Sequence, residues 1–284
     1  DMGFLFQPSF VRGWKITGDS SYRDVALTAC ASHASRFNTA GRFLPAWDPS
    51  EDPIFAGRTI VDTVMNLPIL FWGAREANRP EWEEIARAVS STIRRHHVRP
   101  DGSTFHVVDF DPASGKPVAY TTHQGAAPTS CWSRGQAWAL YGFALVSQWS
   151  GDPDDLDTSR KLADYFITHL PEDLIPYWDF QAPGIRDEPR DSAAAAIAAS
   201  GLLELAHVLS GSEGERYRQA AFKILDQVID RCLSRGHPGQ EGILLHATVD
   251  FPRRSAIDES TIYGDHYFLE ALCKAVDPEH WAML

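Results

Sequence analysis

Asp62 is an acid set inside an apolar run, Thr59-Ile60-Val61-Asp62-Thr63-Val64-Met65-Asn66-Leu67. A carboxyl in that setting is capped, paired or catalytic. Burial disfavours its charged form and lifts its pKa, as a general acid working near neutral pH requires. A helix cap or a structural hydrogen bond accounts for it as well. Asp1 also stands against apolar residues, Met2 to Phe6, although a surface residue at a chain end is the simpler reading. Further on, Cys131-Trp132-Ser133-Arg134-Gly135-Gln136-Ala137-Trp138 places Arg134 and Trp138 four apart, on one helix face. Tryptophan beside polar groups stacks on the apolar C–H faces of sugars, and arginine grips carboxylates in a fork. Taken singly, either tryptophan reads as core packing. Pro189-Arg190-Asp191-Ser192 and Asp258-Glu259-Ser260 are polar clusters at helix starts, where capping is the plain reading.

Other chemistries find little support. His96 and His97 are adjacent, so on a helix they point apart and do not share an ion. There is no His-Glu-x-x-His, no glycine-rich nucleotide loop and no Gly-x-Ser-x-Gly elbow. Neither a metal nor any other cofactor is therefore expected. Cys30, Cys131, Cys232 and Cys273 are far apart and read as ordinary buried thiols. A net charge of −12 argues against nucleic acid as a partner, because a phosphate backbone needs a basic face. No apolar run reaches the roughly 18 residues that suggest a membrane span. With 9 Trp, 8 Tyr and 15 Phe the chain has ample surface to bury, which excludes disorder as its main state.

The elements that must position these residues are mostly helical. Periodicity and caps predict helices near 3–15, 20–37, 59–77, 81–98, 131–149, 156–170, 191–209, 213–233 and 260–276. Helices 59–77, 131–149 and 191–209 are rich in Ala, Gly, Trp and Leu and read as buried. Helices 81–98, 156–170 and 213–233 are charged on one face and read as an outer layer. Inner and outer helices joined as repeated hairpins make an α/α toroid, here as one domain over 1–284. Nine helices fall short of the twelve in a closed six-hairpin ring, so about three more are expected upstream of the abrupt start. Residues 99–124 break the pattern: Asp111 to Gly115 reads as a hairpin turn between Val107-Val108 and Val118-Ala119-Tyr120. Such an inserted loop usually carries function, and 176–190 is a smaller case.

Several segments together resemble glycoside hydrolase family 88, the unsaturated glucuronyl hydrolases. They are Asp1-Met2-Gly3-Phe4, Trp47-Asp48, Asp62 to Leu67, Arg99-Pro100-Asp101-Gly102-Ser103, His106, His123-Gln124-Gly125, Trp132 to Trp138, Pro176-Tyr177-Trp178-Asp179, Arg190 to Ala194 and Asp258-Glu259-Ser260. The resemblance implies an all-α (α/α)6 six-hairpin barrel lacking about its first three helices. It implies removal of a Δ4,5-unsaturated uronic acid from the non-reducing end of an oligosaccharide left by a polysaccharide lyase. In that reaction C4 of the vinyl ether is protonated, water adds at C5, and the hemiketal opens to release the aglycone. By the match, Asp62 would handle the proton, and Asp1 would hold substrate hydroxyls and keep the Asp62 proton in place by like-charge coupling. His106 and Gln124 would orient the water or the sugar. Trp47, Trp132 and Trp138 would stack the rings, and Arg134 would take the uronate carboxylate. No cofactor is implied. A monomer or weak homo-oligomer is expected, and the location is left open with the cytoplasm favoured. Competing readings are an unsaturated rhamnogalacturonyl hydrolase or inverting glycosidase on the same barrel, and a helical scaffold without activity. The rhamnogalacturonyl pattern Arg-Gly-Asn-Gly-Trp differs from Arg134-Gly135-Gln136-Ala137-Trp138, which favours the glucuronyl type.

Overall fold

A computed structural model describes residues 1–209 and 211–279. Several of its helices start where the sequence offers a cap or a proline. Helix α1 (Met2–Phe6) runs through a π turn at Gln7–Val11 into α2 (Arg12–Thr17). Pro8 sits in that turn and has no N–H for an α-helical ladder. Asp19 accepts from the Ser21 amide at 2.9 Å and opens α3 (Ser20–Ser35), the expected cap.

The helix expected over 59–77 divides into three pieces. Arg58–Ile60 is a short strand, β1; Val61–Asn66 is a 3₁₀ turn; only Pro68–Glu76 is α-helix, α4. The β-branched Thr59-Ile60-Val61 suits a strand, and Pro68 suits a first helical position. Helix α5 (Pro80–His96) follows, then β2 (Val107–Phe110) and β3 (Pro117–Thr121). These form the expected hairpin, with Val107 opposite Thr121 and Val108 opposite Tyr120. At its tip the Asp111 carboxylate accepts from the Ala113 and Ser114 amides. β1 adds antiparallel to β2, which makes a three-stranded sheet.

Next come α6 (Ser133–Ser150), α7 (Pro153–Thr168), α8 (Ser192–Leu209) and α9 (Gly211–Cys232). A second hairpin, β4 (Ala247–Asp250) with β5 (Ser255–Glu259), precedes α10 (Ile262–Val276), which Thr261 caps. That second hairpin was not foreseen. Layering follows the expected alternation. α6 packs on both α7 and α8, and α8 packs on both α9 and α10. Every residue of α8 from Ser192 to Leu203 is buried, and its alanines let the neighbouring helices approach closely. By length and apolarity α8 could cross a membrane, but 78% of it lies inside the fold, the mark of a core helix. The chain is thus all-α in character, with inner and outer helices paired as in an α/α barrel. The first turn of α6, the start of α8 and strand β4 meet at one end, where Arg134 bonds Asp191 and the Thr248 and Val249 carbonyls.

Candidate active site

Strand pairing delivers Asp62. Ile60 pairs with Val107, and the Val61 amide extends the ladder to the His106 carbonyl at 3.0 Å. The chain then tightens into the 3₁₀ turn, so Asp62 and His106 come to face each other. Two glycines let helices press on this turn. A Cβ on Gly3 would stand 2.3 Å from the Asn66 Cα, and one on Gly142 would stand 2.4 Å from Val64 Cγ1. The Phe4 amide donates to Asn66 Oδ1 at 3.1 Å, which seats α1 against the turn and brings Asp1 to the same wall.

Between these elements lies a cavity of about 490 Å³, bordered by Asp1, Asp62, Gln124, Trp132, Arg134 and Trp138. That is the volume of a small-molecule site. Six of the eight residues singled out from sequence therefore share one hollow.

Asp62 is 9% exposed, and its Oδ2 is buried with no hydrogen-bond partner among the described residues. Burial pushes its pKa up to about 6, against the opposing pull of its own N–H and of Arg134. Burial is the main cause that holds the proton. His106 Nε2 stands 3.9 Å from Asp62 Oδ2. Burial holds the imidazole pKa well below its ordinary value, and His123, His97, Arg134 and Arg253 add to this by repelling a proton. Asp62 is thus the member of the pair that titrates near pH 6, while His106 is held neutral there. The His106 ring stacks on Trp132 at 4.3 Å, which backs it with an apolar wall.

The fold and this site agree with what the chain is similar to. Residues 10–276 match Glycosyl Hydrolase Family 88. The chain belongs to that family. It is 38% identical over 276 residues to the unsaturated glucuronyl hydrolase of Bacillus sp. (strain GL1), covering 96% of this chain and 73% of that protein. It is 32% identical to the unsaturated chondroitin disaccharide hydrolase of Streptococcus pneumoniae, covering 96% of this chain and 69% of that protein. The crystal structure of the Bacillus sp. GL1 enzyme superposes with a TM-score of 0.94 at 37% identity, covering 98% of this chain and 74% of that one.

In this family 88 site three residues stand differently from expectation: Arg134, Trp47 and His106, the last because it is buried and does not border the cavity. Arg134 was expected to offer its fork to a substrate carboxylate. Instead Nη1 donates to Asp191 and to the Thr248 carbonyl (2.7 Å), and Nη2 donates to the Val249 carbonyl (2.6 Å). Its end-on fork is therefore committed to tying α6 to α8 and β4, and its charge reaches the cavity from the wall. Trp47 lies outside the cavity lining; its ring packs against Phe55 (5.3 Å) and His123 (5.4 Å). Trp138 is wedged edge-on between Phe4 (4.8 Å) and Tyr267 (5.0 Å), so it joins α1 to α10 as well as facing the cavity. Gln124 is anchored through its amide nitrogen to the Val249 carbonyl at 2.9 Å. Sequence reasoning missed Tyr263, His266 and Tyr267 of α10, which join Phe4, Leu5, Pro8, Val249 and Ile262 in the lining. Their spacing of three and four at the start of a helix was the available signal.

Proposed function

We propose that this chain removes a Δ4,5-unsaturated glucuronic acid from the non-reducing end of lyase-generated oligosaccharides, by hydrating the C4=C5 bond. The observation that carries the reading is the buried Asp62 carboxyl on the wall of a sugar-sized cavity, held protonated to about pH 6, with Oδ2 lacking a hydrogen-bond partner among the described residues. In this reading Asp62 gives its proton to C4, which builds oxocarbenium character at C5. Water bonds to C5 and returns a proton to Asp62. The resulting hemiketal opens to a C5 ketone, and the C1–O bond to the aglycone breaks as the C1 aldehyde forms. One water is consumed, and no electrons leave the system. Asp1 holds substrate hydroxyls, His106 and Gln124 orient water or sugar, and Trp138 supplies an apolar edge. Arg134 favours the uronate carboxylate through its charge and keeps the cavity wall in place. A monomer or weak homo-oligomer needs nothing beyond this cavity. The names of the relatives support the glucuronyl reading over the rhamnogalacturonyl one.

The test compares two substrates. Unsaturated glucuronyl disaccharides from a lyase digest should lose their ultraviolet absorbance when the protein is added. The matching saturated glucuronide should stay intact. Equal cleavage of both sinks the hydration reading.

A further inference from the structure

His106 faces Asp62 through Nε2, yet what decides the proton on that nitrogen lies on the far side of the ring. Among the described residues Nδ1 meets two backbone N–H donors and one hydroxyl. The Thr122 hydroxyl lies at 3.2 Å, the His123 amide at 3.3 Å and the Gln124 amide at 3.4 Å. A nitrogen met by two backbone N–H groups must present its lone pair, so the ring proton resides on Nε2. Thr122 does two things here. Its Oγ1 accepts from the Gly125 amide at 2.8 Å, which leaves its own hydrogen to point at Nδ1. By holding Gly125 it also closes the turn that aims the amides of residues 123 and 124 at the ring. On the other side, Nε2 lies 3.9 Å from Asp62 Oδ2, too long for a direct hydrogen bond, so an Nε2 proton beside the carboxyl is left for a third group.

We propose that Thr122 is a positioning residue: it locks His106 in its Nε2–H form, so that His106 and Asp62 together hold the oxygen of the reacting water. This inference rests on the hydration reading above and adds to it the group that sets the direction of the water. His106 donates through Nε2 to that oxygen, and a water hydrogen points at Asp62 once its proton has gone to C4. An Nδ1–H tautomer would present a lone pair to the water and turn a hydrogen away from Asp62. Thr122 touches no reacting atom and acts through His106.

The test uses the full chain with Thr122→Val and Thr122→Ser. Histidine side-chain ¹⁵N NMR without substrate should place the His106 proton on Nε2 in the parent and in Thr122→Ser, and lose that single form in Thr122→Val. With unsaturated disaccharide, Thr122→Val should lower kcat about tenfold with KM within about twofold, and Thr122→Ser should restore it. A parent spectrum with the proton on Nδ1 overturns the proposal, as does Thr122→Val with the parent's kcat. If Thr122→Val does not fold, the parent spectrum still decides. A parent that turns over no unsaturated substrate sinks the hydration reading, while the spectrum separately judges the tautomer.

Discussion

Replacing Asp62 by Asn should stop turnover and remove the stability penalty that the buried carboxylate acquires as pH rises. Folding raises the Asp62 pKa from 3.8 to about 6, with burial the main cause. The sign follows from linkage. Below pH 3.8 the carboxyl is protonated in both folded and unfolded chains, and burial carries no charge penalty. Between 3.8 and about 6 the unfolded chain releases its proton first, so stability falls as pH rises. Above about 6 the full penalty is present. A shift of roughly two units corresponds to about 3 kcal/mol. For 284 residues the unfolding entropy is about 0.6 kcal/mol/K, so the effect on Tm is about 5 °C. An asparagine at position 62 cannot ionise and escapes this penalty. The amide has its own constant cost, so the comparison is made across pH. The Tm difference between Asp62→Asn and the parent should grow by about 5 °C from about pH 3.5 to about pH 7.5, followed by calorimetry. Parallel Tm curves would mean that the folded carboxyl titrates as it does in the unfolded chain, and the argument for a proton stored by burial would fail.

Because Asp62 must hold its proton to begin the reaction, kcat/KM should fall about tenfold per pH unit above pH ~6. A rate constant from pH 5.5 to 8 would contradict that role. Trp138→Ala removes the wedge between Phe4 and Tyr267 as well as the apolar edge of the cavity. It should raise KM about tenfold and cost about 3–5 kcal/mol of stability in denaturant titration, and a change in KM alone would mean that the indole carries no packing. Gly3→Ala puts a carbon 2.3 Å from the Asn66 Cα and must push α1 off the 3₁₀ turn. It should lower both Tm and kcat, whereas Gly18→Ala, whose Cβ would meet nothing within 4 Å, should leave kcat unchanged despite its strained φ of +70°.

What the sequence reveals depends on how local the cause is. The layers were legible because outer helices such as α5 and α9 carry an apolar stripe, while α8 is apolar all round. The β2–β3 turn was legible because Asp111 and Gly115 announce it. Asp62 stood out because an acid amid Ile60, Val61, Val64 and Met65 is a local anomaly. Its pairing with His106 was not legible, since β1 is only three residues long and merges with a helix-like pattern. Hairpin β4–β5 was hidden for another reason. His246, Arg254, Ala256 and Asp258 take positive φ values of 67°, 53°, 46° and 61°, a backbone that glycine would advertise and these residues do not. Arg134 looked free to bind a ligand because Asp191 and the β4 carbonyls that hold it are distant in sequence. Glu270 and Lys274, four apart on α10, look like a surface pair. Both are buried, and Lys274 and Arg12 hold the Glu270 carboxyl down to about 2 although burial alone would raise it.

In the hydration reaction Asp62 delivers a proton to a vinyl-ether carbon while C1 is left alone. An unsaturated glucuronide joined to its aglycone through a carbon–carbon bond at C1 tests this directly, because anomeric cleavage is then impossible. The protein should still abolish the ultraviolet absorbance of the C4=C5 bond, and Asp62→Asn should not. Unchanged absorbance with the parent protein, on a compound that nevertheless binds and competes with the natural linkage, would place the chemistry at C1 and rule out protonation of C4 by Asp62.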